Sequence, residues 1–141
     1  MVEMPDFKSI EPVKYDRKKH DISFQNAFNG ILLAFKTQPN FRFHMLFFIL
    51  ATLLGIVYQI TVYEYLAILV ISTIVMAMEM VNTAVEAIGD EISGGKFDKL
   101  IGVAKDVSAG GVLIAAIGSI LIGFFIFFPK IYAVIVSGFV W

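Results

Sequence analysis

The chain has 141 residues, 58% of them hydrophobic and only 16% charged, with a mean hydropathy of +0.81. A soluble domain carries about 45–50% apolar residues and spreads charge over its surface, so an ordinary soluble domain and a disordered chain are both excluded. The net charge of −1 offers no basic face to nucleic acid, and the absence of cysteine removes disulfides, thiolate metal sites and cysteine nucleophiles.

In chain order, residues 1–21 read as a tail with Pro5, Pro12 and mixed charges, and without the apolar core of a signal peptide. Residues 22–38 read as a short amphipathic helix. Ile22, Phe24, Phe28, Ile31, Leu32 and Phe35 form its apolar face against Gln25, Asn26, Asn29 and Lys36, a pattern suited to the membrane interface. Pro39-Asn40 breaks it. A first span follows over about 42–60, then a tight link, then a second span over about 63–92 that Gly94-Gly95 ends. A loop leads to a third span over about 103–128, with Pro129-Lys130 at its edge. The apolar tail 131–141 is too short to cross again. The expected fold is an all-α membrane protein: an interfacial amphipathic helix and three transmembrane helices in an oligomeric bundle.

The spans rest on where charge is absent. Met45–Tyr63 and Val107–Pro129 carry none, and each suffices for the roughly 20 residues that a bilayer requires. Tyr65–Met78 is shorter and is bounded by Glu64 and Glu79. A middle span must therefore take in Glu79 at or just below the headgroups, where an ionisable residue is a functional candidate. Lys8, Lys14, Arg17, Lys18, Lys19, Lys36 and Arg42 precede the first span, and Lys96, Lys99 and Lys105 follow the second. The positive-inside rule then places the N-terminus and the second loop in the cytoplasm and the C-terminus outside.

The chemistry gathers on the last turns of span two. At about 100° per residue, Glu79, Asn82, Glu86 and Asp90 share an arc of about 80°. Carboxylates crowded on one helix face repel unless a cation or proton separates them. Oxygen ligands without cysteine or a histidine pair favour Mg²⁺ over Zn²⁺. Lys105-Asp106 opens span three, placed to meet a phosphate at the same depth. Gly89 to Lys96 resembles a phosphate loop only faintly, because its spacing is wrong and Phe97 stands where a metal-binding Ser or Thr belongs. His44 reads as an interfacial anchor and Met76, Met78 and Met80 as packing. The same acidic face also suits a non-catalytic membrane subunit that uses it for assembly, or a small ion carrier. A carrier would place its acids nearer mid-membrane.

The segment Glu79-x-x-Asn82-Thr83-Ala84-x-Glu86-x-x-x-Asp90, followed by Ala104-Lys105-Asp106, resembles the signature of the small prokaryotic diacylglycerol kinase family, which includes undecaprenol kinases. Gly30, Phe35, Asn40-Phe41-Arg42-x-His44 and Phe128-Pro129-Lys130 extend the likeness over about residues 22–130, the expected membrane lipid kinase domain.

The resemblance implies a homotrimeric integral membrane kinase that moves the γ-phosphate of ATP, with Mg²⁺, to a lipid alcohol, undecaprenol before diacylglycerol, in a prokaryotic plasma membrane. By resemblance Glu79 is the general base and Glu86 a metal ligand. Gln38 stands where the family usually places a second metal-binding glutamate, so it offers an amide oxygen without charge. The implied nucleotide contacts are Lys19, Asn26, Glu86, Asp90, Lys96, Phe97, Asp98, Lys105 and Asp106, with Asp98 where the family often has histidine. The implied lipid-site residues are Asn29, Gly30, Arg42, Glu79, Asn82 and Ala109. Three small spans leave little interior of their own, so sites between chains are expected. Ala109, Gly110, Gly111, Ala115, Ala116, Gly118 and Ser119 allow close helix approach.

Overall fold

The computed structural model describes residues 24–137 as four helices: α1 (Phe24–Thr37), α2 (Pro39–Val57), α3 (Val62–Ser93) and α4 (Lys99–Ser137). Residues 1–23 and 138–141, including Lys19 and Ile22, lie outside the described residues. Helices α2, α3 and α4 are each long and apolar enough to cross a membrane. Helix α3 packs along α4 most extensively and along α2 next, while α1 touches α2 and α3.

The junctions follow from local chemistry. Gln38 lies between α1 and α2 with extended backbone, and Pro39 takes the first helical position, where a missing N–H costs nothing. The Pro39-Asn40 break is thus the start of α2, three residues earlier than expected for the first span. Four residues, Tyr58 to Thr61, turn α2 into α3. The turn needs Gly55: a Cβ there would stand 2.7 Å from Ile60 Cδ1 and 2.8 Å from Tyr65 Cε1. Thr61 and Glu64 form a reciprocal capping box at the start of α3. The Thr61 N–H donates to Glu64 Oε2 at 2.6 Å, and the Glu64 N–H donates to Thr61 Oγ1 at 3.3 Å. Lys130 of α4 binds the other oxygen, Glu64 Oε1, at 3.3 Å.

At the opposite end, Gly94 caps α3 in the left-handed conformation with φ 57° and Gly95 follows at φ 75°, which glycine adopts without steric cost. The Asp98 carboxylate caps α4 by accepting from the Leu100 and Ile101 N–H groups at 2.8 and 3.1 Å. Helix α4 does not end at Pro129, the expected edge of the third span, but runs on to Ser137. Proline removes one N–H donor, a loss that long apolar helices tolerate, and the apolar run Ile131–Val136 continues the helix.

The apolar core and the polar residues occupy different ends. Buried Ile60, Ile68, Ile126 and Phe127, with Phe48, Tyr58, Tyr65 and Ile122 against them, lie toward the α2–α3 turn. The buried polar residues, Glu79 and Asn82, lie toward the α3–α4 loop. The largest apolar cluster thus lies at the turn end, and the buried polar side chains lie farther along α3 toward its loop end.

Candidate active site at the loop end of the bundle

Glu79 is 2% exposed and Asn82 8%, the two buried polar side chains among the described residues. Burying such groups is costly unless each has partners, and the neighbouring helices supply them. Asn40 of α2, His44 one turn further along α2, and Glu86 of α3 lie in the neighbourhood of the Glu79 carboxylate. Asn40 and His44 are four apart and so share a helix face. Thr83 Oγ1 donates to the Glu79 main-chain oxygen at 2.9 Å, which satisfies its hydroxyl within α3.

Asn82 spends both ends of its amide. Its Nδ2 donates to Glu86 Oε1 at 2.9 Å, and its Oδ1 accepts from Ser108 Oγ of α4 at 2.6 Å. Ser108 Oγ also lies 2.9 Å from the Lys105 carbonyl, and its single proton serves one acceptor at a time. One turn beyond Glu86, Lys105 Nζ pairs with Asp90 Oδ1 at 2.5 Å. That pairing needs close helices. A Cβ on Gly89 would stand 2.8 Å from Ile101 Cγ2 and 3.0 Å from Lys105 Cε. The strip runs from a buried carboxylate to a half-exposed ion pair, and α2, α3 and α4 all contribute to it.

The structure thus brings Glu79, Asn82, Glu86, Asp90 and Lys105 together, as the helical arc predicts. Gly30 brings α1 to α3, 4.0 Å from Met80 Cε. Gln38 sits at the α1–α2 junction, where its Nε2 is buried without a hydrogen-bond partner among the described residues. Other expected contacts lie on the exterior of the single chain: Asn26, Asn29, Arg42, Lys96, Phe97, Asp98, Asp106 and Ala109. Phe97 is 94% exposed. Asp98 also has a structural duty, as the cap of α4. Three site residues escaped the reading of the spans: Asn40, His44 and Ser108. The four-residue spacing of Asn40 and His44, and of Ser108 one turn after Lys105, is the signal that marks them.

Chemically, Glu79 is a buried carboxylate in the neighbourhood of the Asn40 amide, suited to accept a proton. Glu86 Oε1 is bound by Asn82, and no hydrogen bond engages its Oε2 among the described residues. No group of three His, Cys, Asp or Glu that could hold a metal exists among them. The oxygen donors present are of the kind a hard cation takes, as Mg²⁺ does when it binds through one or two carboxylates and phosphate. Lys105 supplies a positive charge one helical turn from Ser108 and Ile101.

Above Glu79, between α2, α3 and α4, an open cavity of about 510 Å³ runs toward the turn end. Apolar side chains such as Phe47, Leu54, Ile71, Val75 and Phe127 line it, and His44 is its only titratable lining residue.

A sequence model of the family described as prokaryotic diacylglycerol kinase matches residues 25–127. A diacylglycerol kinase of Synechocystis sp. is 31% identical over 115 residues, which cover 82% of this chain and 66% of that protein, so this chain spans about two thirds of that relative's length. An undecaprenol kinase of Bacillus subtilis is 33% identical over 109 residues, covering 77% of this chain and 88% of that protein. The match takes in α1, α2, α3 and most of α4, with the whole polar strip. The chain belongs to the prokaryotic diacylglycerol kinase family of lipid kinases.

Proposed function

We propose that this protein transfers the γ-phosphate of ATP, with Mg²⁺, to the hydroxyl of a membrane lipid alcohol at the cytoplasmic surface of a prokaryotic plasma membrane. The observation that carries this reading is Glu79: a 2% exposed carboxylate on α3, one turn from Val75 of the apolar cavity on one side and from Asn82 of the polar strip on the other. Undecaprenol is the first candidate acceptor and diacylglycerol the second. One relative is named for each, and the likeness in the Asn40 to His44 block favours the former.

Phosphoryl transfer asks mainly for positioning and charge neutralisation. The cavity receives part of the hydrocarbon chain and leaves the hydroxyl near Glu79. Glu79 accepts the hydroxyl proton as the oxygen attacks phosphorus. Glu86, whose Oε1 accepts from Asn82, would hold the cation, with Gln38 as a second, uncharged amide ligand. Mg²⁺, when bound there, would supply charge neutralisation for the phosphate. Lys105, held by Asp90, binds phosphate. Lys96, Phe97, Asp98, Asp106, Asn26 and Lys19 form the nucleotide side, with Asn29, Gly30, Arg42 and Ala109 on the lipid side.

The topology is N-terminus inside and C-terminus outside, which puts the polar strip where water-borne ATP reaches it. The exposed Phe24, Phe28, Ile31, Leu32 and Phe35 of α1 suit a helix lying in the interface. The assembly is a homotrimer. Within one chain most of α2 and α4 is unburied, leaving apolar surface for lipid and for neighbouring copies. Purified protein in bilayers should incorporate labelled phosphate from ATP into undecaprenol, and a chelator should stop it. No incorporation into any lipid alcohol would refute the reading. The ion-carrier alternative is disfavoured by Glu86 and Asp90, which lie toward the loop end, where Asp90 pairs with Lys105, while Glu79 stands near the middle of α3.

A further inference from the structure

We infer that the cavity between α2, α3 and α4 is a slot for one prenyl chain of the acceptor alcohol, entered near Glu79 and closed at the turn end, and that Gly123 sets how deep the chain goes. This rests on the kinase reading above and names the class of alcohol that the same site takes.

An alcohol whose oxygen lies at Glu79 can lead its chain along the helices in two directions. Toward the loop end stand Asn82, Glu86 and the Asp90–Lys105 pair, and hydrocarbon laid among them would strip polar groups of water. Toward the turn end lies the cavity. Val75, 2% exposed and one turn before Glu79, lines its near end. Ile68 and Phe127 line its far end and belong to the buried core cluster, which closes the bundle there. The α2 wall runs from His44 to Leu54, about 15 Å at about 1.5 Å per residue.

The lining selects for hydrocarbon. Among the described residues no Asp, Glu, Lys or Arg borders the cavity, so a nucleotide or a charged headgroup finds no partner in it. Ser119 Oγ donates to the Ala116 carbonyl at 2.8 Å, which leaves Ser72 and His44 as the polar side chains of the wall. A prenol carries no polar atom beyond its hydroxyl. The two ester groups of a diacylglycerol would meet mostly apolar side chains, at a cost for each polar atom left without a partner.

The glycines of α4 serve different ends. A Cβ on Gly111 would stand 2.6 Å from Met78 Cε, and one on Gly118 3.6 Å from Ile71 Cδ1, so both allow α4 to lie close to α3. Gly123 shares the cavity-lining stripe of Ala116, Ser119, Ile120 and Phe127, which recur at helical spacing. A Cβ there would meet nothing within 4 Å. The free space beside Gly123, one turn before Phe127, is therefore the deep end of the slot. A chain longer than the slot continues through the open side into the bilayer. Lipid tails are as apolar as the wall, so its further units add nothing to recognition.

The test measures KM, as a membrane mole fraction, for prenols from geraniol to undecaprenol in bilayers holding wild type, Gly123→Ala or Gly123→Leu. Wild-type KM should fall as the chain lengthens to fill the slot and then stay level up to undecaprenol. Geraniol is too short to reach the deep end. In Gly123→Leu the ratio of the undecaprenol KM to the geraniol KM should rise about tenfold, the effect of overfilling a packed site, and Gly123→Ala should fall between. Both replacements favour a helix over glycine. A ratio that stays at the wild-type value in the folded leucine variant would overturn the proposal, and so would a wild-type KM that keeps falling with chain length up to undecaprenol. Should the variants fail to fold, a photoreactive prenol of slot length decides on the wild type. It should label cavity residues such as Leu54 or Phe127, and labelling confined to outward-facing residues such as Leu113 or Phe125 would overturn the slot. Phosphate transfer to diacylglycerol but to no prenol would overturn the slot and leave the kinase reading standing. A wild type that phosphorylates no lipid alcohol would overturn the kinase reading, and the slot with it.

Discussion

Asp90 near the end of α3 and Lys105 near the start of α4 are joined by an ion pair across the Gly94-Gly95 loop. Their side chains are 43% and 29% exposed, and such half-solvated pairs contribute about 0–1 kcal/mol to stability. Fastening the hairpin is thus a minor part of what the pair does. It holds a lysine and a carboxylate at fixed separation at the edge of the polar strip, where a nucleotide's phosphates would arrive.

Gly89→Ala tests that spacing. The new methyl would press on Ile101 Cγ2 and Lys105 Cε, and these atoms belong to the packed α3–α4 contact. Overpacking costs about 1–3 kcal/mol, partly offset by the better helix propensity of alanine, about 1 kcal/mol. The expected result is a small loss in thermal stability and a severalfold rise in the KM for ATP, measured by steady-state kinetics.

Ser108→Ala removes the donor to Asn82 Oδ1. Hydrogen bonds between helices in membranes are worth about 0.6 kcal/mol on average, so the bundle should remain folded. Asn82 then holds Glu86 Oε1 less firmly. The expected outcome is a severalfold lower kcat and a higher requirement for Mg²⁺, read from titrations at fixed ATP.

Glu64→Ala probes the opposite end. It deletes the capping box with Thr61 and the ion pair with Lys130. Loss of a helix cap costs about 0.5–2 kcal/mol. The midpoint of unfolding should therefore fall, while kcat of the folded protein, set at the distant loop end, should stay within about twofold. Kinetics and denaturation on the same preparation separate the two effects.

Topology is open to clean labelling because the chain has no cysteine. Cysteine placed at Gln59, in the α2–α3 turn, should react with an impermeant maleimide added outside intact cells. Cysteine at Lys96, in the α3–α4 loop, should react only after the membrane is opened. The reverse pattern would put the polar strip on the side without ATP.

Much of the fold is legible in the sequence because charge-free length is a strong signal. The three long helices and the glycine stop at Gly94 follow from it, and the shared face of Glu79, Asn82, Glu86 and Asp90 follows from the helical period. Helix ends were harder to read. Pro129 carries the usual mark of a stop, but its neighbours are apolar enough for α4 to pass through it. Pro39 marks a start rather than a gap. Asn40, His44 and Ser108 become site residues only when α2 and α4 dock on α3, a relation that periodicity within one helix does not contain. Asp98 shows the converse: its carboxylate is spent on capping α4, which spacing alone does not reveal.

The central claim is that Glu79 takes the proton of a lipid alcohol. Its most direct test is labelled phosphate transfer from ATP to undecaprenol by Glu79→Gln and Glu79→Ala in bilayers, with helical content verified. The account predicts at least a hundredfold loss in kcat in both folded variants, within the roughly 10²–10⁴ that a positioned base contributes. Wild-type turnover in either folded variant would contradict it.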